Sequence, residues 1–182
     1  EYDITTGQHA DFKAPARRMR TVAEGQSLLL EYPDGSRKTI AESTDPAITY
    51  GQTVSRNEFG IDGGVFWSED STKIAYYQKD ESKVTSYPLV DITTRTGSAG
   101  MDSEVIRLWV YDLASGNSSE ITIPDIEAGI SPAYITNVCW SPDGKTLYAQ
   151  MIDRSQKNVM LGKASLEAGS DLTMSPILYE KN

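Results

Sequence analysis

Two strings in this chain are written to one plan. Phe66-Trp67-Ser68 leads through the polar stretch Glu69 to Lys73 into Ile74-Ala75-Tyr76-Tyr77, and Cys139-Trp140-Ser141 leads through Pro142-Asp143-Gly144-Lys145 into Leu147-Tyr148-Ala149. Each is an apolar run, a polar turn and a second apolar run, the pattern of an antiparallel hairpin entering and leaving a core. A hairpin that recurs points to a repeat architecture. The two tryptophans stand about 70 residues apart, further than the roughly 40–50 of a plain propeller blade, so an insertion is expected in one repeat.

A second repeat runs beside the first. Tyr2-Asp3-Ile4-Thr5-Thr6-Gly7 is echoed by Tyr111-Asp112-Leu113-Ala114-Ser115-Gly116, in each case a strand end followed by a tight glycine turn, as between the outer strands of a blade. Glu120 to Ile123 reads as the returning strand. Leu28 to Tyr32, the turn Pro33-Asp34-Gly35 and Arg37 to Ile40 make a further hairpin. Val159 to Ser165 and Thr173 to Tyr179 make a more degenerate strand set, and no long helical period is present. The expected fold is all-β: a partial β-propeller of antiparallel four-stranded blades in an incomplete ring, one domain over residues 1–182 with roughly three to four blades. Its parts are an outer hairpin at Tyr2 to Phe12, a weak blade from Val22 to Ile48, one from Phe66 to Ile123 and one from Ile135 to Tyr179. An arc of this kind leaves sheet edges and an apolar face open, so alone it should be marginal or oligomeric.

Composition narrows the partners. A net charge of −9 over 182 residues repels phosphate backbones and anionic membranes, which argues against nucleic acid. Arg17, Arg18 and Arg20 form the one tight basic cluster and read as a solvated turn. The single cysteine, Cys139, excludes an internal disulfide and reads as an inert core thiol beside Trp140. No apolar stretch approaches the roughly 20 residues that span a bilayer. Glu1 opens directly into a strand-like segment without a signal peptide, so the chain reads as trimmed at its start.

The residues of an active site are missing. A serine hydrolase needs a nucleophile on a sharp Gly-x-Ser-x-Gly turn, a base and an orienting carboxylate, and the sequence has no such turn. Its one histidine, His9, reads as an exposed loop residue. Paired His/Cys ligands and a G-x-G-x-x-G turn are also lacking, so no metal or cofactor is expected. DESKVTSYPLVD (Asp80 to Asp91) lacks calcium-loop spacing and reads as a structural crossover. Phe66, Trp67, Trp140 and Tyr148 read as packing anchors.

Four strings, YGQTVSRNEFGI (Tyr50 to Ile61), FWSEDSTKIAYYQ (Phe66 to Gln78), DESKVTSYPLVD and NVCWSPDGKTLYAQMIDRSQ (Asn137 to Gln156), closely resemble the N-terminal β-propeller of the dipeptidyl peptidase IV group of prolyl oligopeptidase-type serine peptidases, above all its bacterial branch. Glu1 to Ala47 matches loosely. The resemblance implies an exported parent, periplasmic or extracellular, that is homodimeric. It also implies an α/β-hydrolase domain downstream with a Ser-Asp-His triad, cleavage after proline or alanine near the substrate N-terminus, and no cofactor. The propeller would gate access to the cavity and bind the free N-terminus of the peptide substrate. By resemblance Glu58 and Asn57 occupy the short acidic motif, commonly Glu-Glu, whose carboxylates hold the substrate α-amine. Asn57 stands where the first acidic residue is usual, which leaves dipeptide against tripeptide release open. The plainer reading of Glu58 is a surface carboxylate, or one salt-bridged to a neighbour such as Arg56. In relatives a longer connection follows the DESKVTSYPLVD segment, so a chain break is expected between about Arg95 and Met101. The rival function is a stand-alone WD-like or periplasmic interaction propeller without enzymatic activity.

Overall fold

The computed structural model describes residues 18–84, 102–167 and 169–181, together with the backbone of two short strands, β1 (Tyr2–Asp3) and β2 (Gln8–His9), which pair antiparallel. The expected chain break and most of DESKVTSYPLVD lie outside the described residues. β3 (Arg20–Glu24), β4 (Ser27–Glu31) and β5 (Arg37–Ala41) form a three-stranded sheet. β6 (Ile48–Tyr50), β7 (Val65–Trp67), β8 (Lys73–Asp80), β9 (Val105–Asp112) and β10 (Asn117–Ile121) form a five-stranded one. β11 (Pro132–Trp140), β12 (Thr146–Asp153), β13 (Asn158–Ser165) and β14 (Ser175–Lys181) form the last, a four-stranded meander. Every strand pair is antiparallel, and among the described residues no sheet closes on itself. No described helix is long and apolar enough to cross a membrane.

The sheets stack through two apolar layers. Leu28, Leu30, Ile40, Ile74, Tyr76 and Tyr111 fill the space between the first two sheets. Ala75, Tyr77, Leu108, Val110, Ile135, Leu147, Ala149 and Met151 belong to the larger layer between the second and third. Because successive side chains of a strand point to opposite faces, a strand sandwiched between two sheets must be apolar at every position. β8 meets this demand with Ile74-Ala75-Tyr76-Tyr77, all buried. The buried tyrosines satisfy their hydroxyls: Tyr77 donates to the Ile135 carbonyl at 2.8 Å and Tyr76 to Ser118 Oγ at 2.9 Å. Burial pushes both phenols up, Tyr76 to about 12.

The two Trp-Ser hairpins occupy equivalent places. Trp67 pairs with Ile74 and Trp140 with Leu147. Each turn is closed by an aspartate: Asp70 accepts from Ser68 Oγ at 2.7 Å and Asp143 from Ser141 Oγ at 2.5 Å. The two turns also meet, since a Cβ on Gly144 would lie 3.2 Å from the Asp70 carboxylate. Trp140 Nε1 donates to the Phe66 carbonyl at 2.9 Å and so ties the third sheet to the second. The expected insertion is the connection between β8 and β9, whose facing ends pair at Asp80↔Val105.

Trp67 and Trp140 pack against the two layers as anchors, with an edge of each left accessible. Several expectations need correction. Cys139 is exposed: strand alternation turns Val138 and Trp140 inward and the thiol outward, beside Tyr148. Ile48 joins the second sheet through β6, not the first. Arg20 is part of β3 and pairs with Glu31 at 2.6 Å, while Arg18 is exposed just ahead of the strand and Arg17 lies outside the described residues. The open face is borne out on β14, where Ile177, Leu178 and Tyr179 are exposed.

Candidate functional site

The edge strand beside β8 is interrupted. β7 lies along the first half of β8 (Trp67↔Ile74 to Val65↔Tyr76) and β6 along the second (Tyr50↔Gln78 to Ile48↔Asp80). Residues 51–64 leave the sheet between them and come back at one point, Tyr77. The Gly51 N–H donates to the Tyr77 carbonyl at 2.8 Å, and the Tyr77 N–H donates to the Gly64 carbonyl at 3.0 Å. The two glycines make this neck possible: a Cβ on Gly64 would lie 2.1 Å from the Gln52 carbonyl oxygen. The result is a compact loop whose ends meet.

Its legs are anchored by burial. Val54 and Ile61 insert into the layer between the second and third sheets. The tip is a short 3-10 turn, Ser55–Gly60. Ser55, Arg56, Asn57 and Phe59 have φ of 53°, 51°, 62° and 54°, the left-handed region that residues with a Cβ seldom adopt. Glu58 alone is extended, at φ −69° and ψ 164°. Such backbone persists only where its surroundings over-determine it, and five contacts do so, the Ile61 N–H donating to the Glu58 carbonyl at 3.1 Å among them. Ser55 N–H donates to the Glu104 carboxylate. Asn57 N–H donates to the Val54 carbonyl at 3.1 Å. Thr136 Oγ1 donates to the Phe59 carbonyl at 3.0 Å, and the Phe59 ring packs on Tyr134 with centroids 4.8 Å apart. The loop is thereby held by both the second and the third sheet.

What this presents to solvent is Arg56, Asn57 and Glu58, all exposed. Neither Glu58 nor Asn57 makes a side-chain hydrogen bond or ion pair among the described residues, so the pairing of Glu58 with Arg56 does not form. Two carboxylate oxygens and one amide oxygen are free to accept from a donor-rich cation, and an ammonium, with three donors and no acceptor, is such a group. Behind the tip a pocket of about 190 Å³ lies between Gly60 to Gly63 and Asn137-Val138; neither Glu58 nor Asn57 lines it.

The other candidates do not join this site. His9 lies on β2, with its side chain outside the described residues. Asp80 ends β8, and its carboxylate accepts from Ser82 N–H at 3.0 Å. Among the described residues no three His, Cys, Asp or Glu side chains converge as metal ligands would. Glu104 is the participant that sequence reasoning missed. It touches the tip from 49 residues away, and neither its position just before β9 nor any local pattern marks it.

Comparison with known proteins places the chain in a family. The profile described as "Dipeptidyl peptidase IV (DPP IV) N-terminal region" matches residues 28–175. A putative dipeptidyl aminopeptidase IV from Bacteroides ovatus ATCC 8483 is 32% identical with a TM-score of 0.68, over all of this chain and 24% of that one. Porphyromonas gingivalis dipeptidyl peptidase 4 is 20% identical with a TM-score of 0.72, over 91% of this chain and 24% of that one, a likeness of fold. Protein HIR1 of Candida albicans (strain SC5314 / ATCC MYA-2876) is 24% identical over 137 residues, 74% of this chain and 14% of that protein. The chain thus spans about a quarter of the length of the two solved bacterial structures.

Proposed function

The chain belongs to the dipeptidyl peptidase IV N-terminal region family, and we propose that it is the non-catalytic part of a larger, exported serine exopeptidase in which Glu58, with Asn57 beside it, grips the free α-ammonium of the peptide substrate. The peptide-bond chemistry falls to an α/β-hydrolase domain downstream in the same polypeptide. The propeller gates the substrate's approach, and the working unit is a homodimer.

The observation that supports this reading is the tip of the loop. A carboxylate with no side-chain partner among the described residues stands on a backbone fixed from two sheets, in the string that by resemblance corresponds to the family's acidic motif. A fixed carboxylate that accepts from the substrate's first nitrogen measures distance from the N-terminus, and cleavage becomes exopeptidic. Asn57 supplies one further acceptor without charge, so the grip rests mainly on Glu58.

Glu58→Gln in the full-length polypeptide tests this. Glutamine keeps size and one acceptor and removes the charge. Truncating one partner of a desolvated charged pair costs about 2–5 kcal/mol, against about 0–1 kcal/mol for a pair left in water. The conservative amide belongs near the lower end of the first range, a loss of about thirty-fold in kcat/KM on Ala-Pro anilide with a free N-terminus. N-acetyl-Ala-Pro anilide, which lacks the ammonium, is the reference. Equal slowing of both substrates, or wild-type rates on the free amine, would make Glu58 an ordinary surface carboxylate.

A further inference from the structure

Among the described residues Glu58 has no side-chain partner, so its place in space is set by the backbone that carries it. That backbone enters the tip through three consecutive residues in the left-handed region, Ser55, Arg56 and Asn57. None is glycine. Most of the loop's ties act at its mouth, its legs or its leaving side: the Gly51/Gly64 neck, the burial of Val54 and Ile61, the Ile61 N–H donating to the Glu58 carbonyl at 3.1 Å, and Thr136 and Tyr134 holding Phe59. On the entering side the turn's own Asn57-to-Val54 hydrogen bond closes it internally. Among the described residues, the one side chain that reaches this entering side from outside the loop is Glu104, whose carboxylate accepts the Ser55 N–H. Ser55 is buried, and its hydroxyl has no hydrogen-bond partner, so this charge-assisted bond is the polar tie of that residue to the rest of the fold.

From this arrangement we infer that Glu104 is a positioning residue for amine recognition: by holding Ser55 N–H it keeps the Ser55–Asn57 backbone left-handed and Glu58 aimed outward. The inference rests on the amine-binding reading of Glu58. Without the tie, Ser55 to Asn57 can relax toward the right-handed conformations that residues with a Cβ prefer, and Glu58 swings with them. Glu104 acts through an N–H, so it needs an acceptor oxygen at that spot and not a negative charge. This separates it from a direct ammonium ligand, for which the charge would matter.

The test uses the full-length polypeptide with Ala-Pro anilide, free and N-acetylated, and the variants Glu104→Ala, Glu104→Gln, Glu58→Gln and Glu58→Gln/Glu104→Ala. Loss of a charge-assisted hydrogen bond predicts that Glu104→Ala raises KM for the free-amine substrate about tenfold relative to the acetylated one, with kcat changed far less. Glu104→Gln, whose amide oxygen can still accept Ser55 N–H, should recover most of that loss, and the double variant should be no worse than Glu58→Gln alone. If Glu104→Ala fails to fold, Glu104→Asp takes its place: it keeps the charge but is one methylene shorter, so positioning predicts a raised KM and a direct charge ligand predicts little change. Wild-type selectivity in Glu104→Ala while Glu58→Gln is impaired would overturn the inference and leave the function standing. Glu104→Gln as impaired as Glu104→Ala would also overturn it. Unchanged selectivity in Glu58→Gln would overturn the functional reading and this inference with it.

Discussion

The second and third sheets start from the same Trp-Ser hairpin and then treat its first strand differently. In the third sheet the strand runs from Trp140 back to Pro132 along β12, disturbed at Asn137 and Val138, where the register shifts between Thr136↔Gln150 and Cys139↔Tyr148. In the second sheet, stepping along β8 from Trp67↔Ile74 as along β12 from Trp140↔Leu147, Tyr77 corresponds to Gln150. At Tyr77 the strand opens fully, and residues 51–64 leave and return. One sheet absorbs an irregularity as a bulge; the other turns it into a loop that carries Glu58 out of the stack. The repeat provides rigidity, and the departure from it at one position provides a presented side chain, the division of labour expected when function sits on loops over a fixed scaffold.

If the loop depends on its neck as described, Gly64→Ala is the most damaging small change in it. The added Cβ meets backbone, the Gln52 carbonyl, which cannot swing aside as a flexible side chain would. A loss of about 3 kcal/mol is expected in denaturant unfolding of the full-length polypeptide, at the upper end for overpacking. Asn137→Ala in the bulge, at φ 51°, should cost nearer ~1 kcal/mol. Equal costs at the two places would mean that the neck is no tighter than the bulge.

A smaller effect compares the two hairpin turns through pH. Hydrogen bonds from the Ser68 side chain, then from the Thr72 backbone and side chain, hold the Asp70 carboxyl at about 2, below its ordinary 3.8. The Ser141 side chain and the Lys145 backbone hold Asp143 low in the same way. A carboxyl lowered on folding adds stability that is fully present above its ordinary value and disappears as pH falls through the folded one. Thermal midpoints should therefore drop as pH goes from about 4 to about 2, and Asp70→Asn should flatten part of that slope. A slope in this window that Asp70→Asn leaves untouched would assign the acid sensitivity to other carboxylates.

The hairpins were legible in the sequence because turn chemistry and alternation act over a few residues. β8 reads as doubly buried from Ile74 to Tyr77, and Asp70 and Asp143 sit where turn-closing aspartates belong. The loop tip was legible only by resemblance. Left-handed backbone usually announces itself by glycine or asparagine, whereas here Ser55, Arg56 and Phe59 adopt it under tertiary constraint. Glu104 left no local trace, since its bond to Ser55 spans 49 residues. For Cys139 the apolar company of Trp140 points to the core, whereas strand alternation, the stronger constraint, turns its side chain outward.

The amine clamp itself is open to direct observation, in a crystal structure of the full-length polypeptide bound to a peptide with a free N-terminus. The substrate's α-nitrogen should lie within about 2.7–2.9 Å of a Glu58 carboxylate oxygen, with the Asn57 amide oxygen in reach and the Ser55–Asn57 turn still left-handed. An α-nitrogen held by other groups while Glu58 stays in solvent would contradict the role given to this loop.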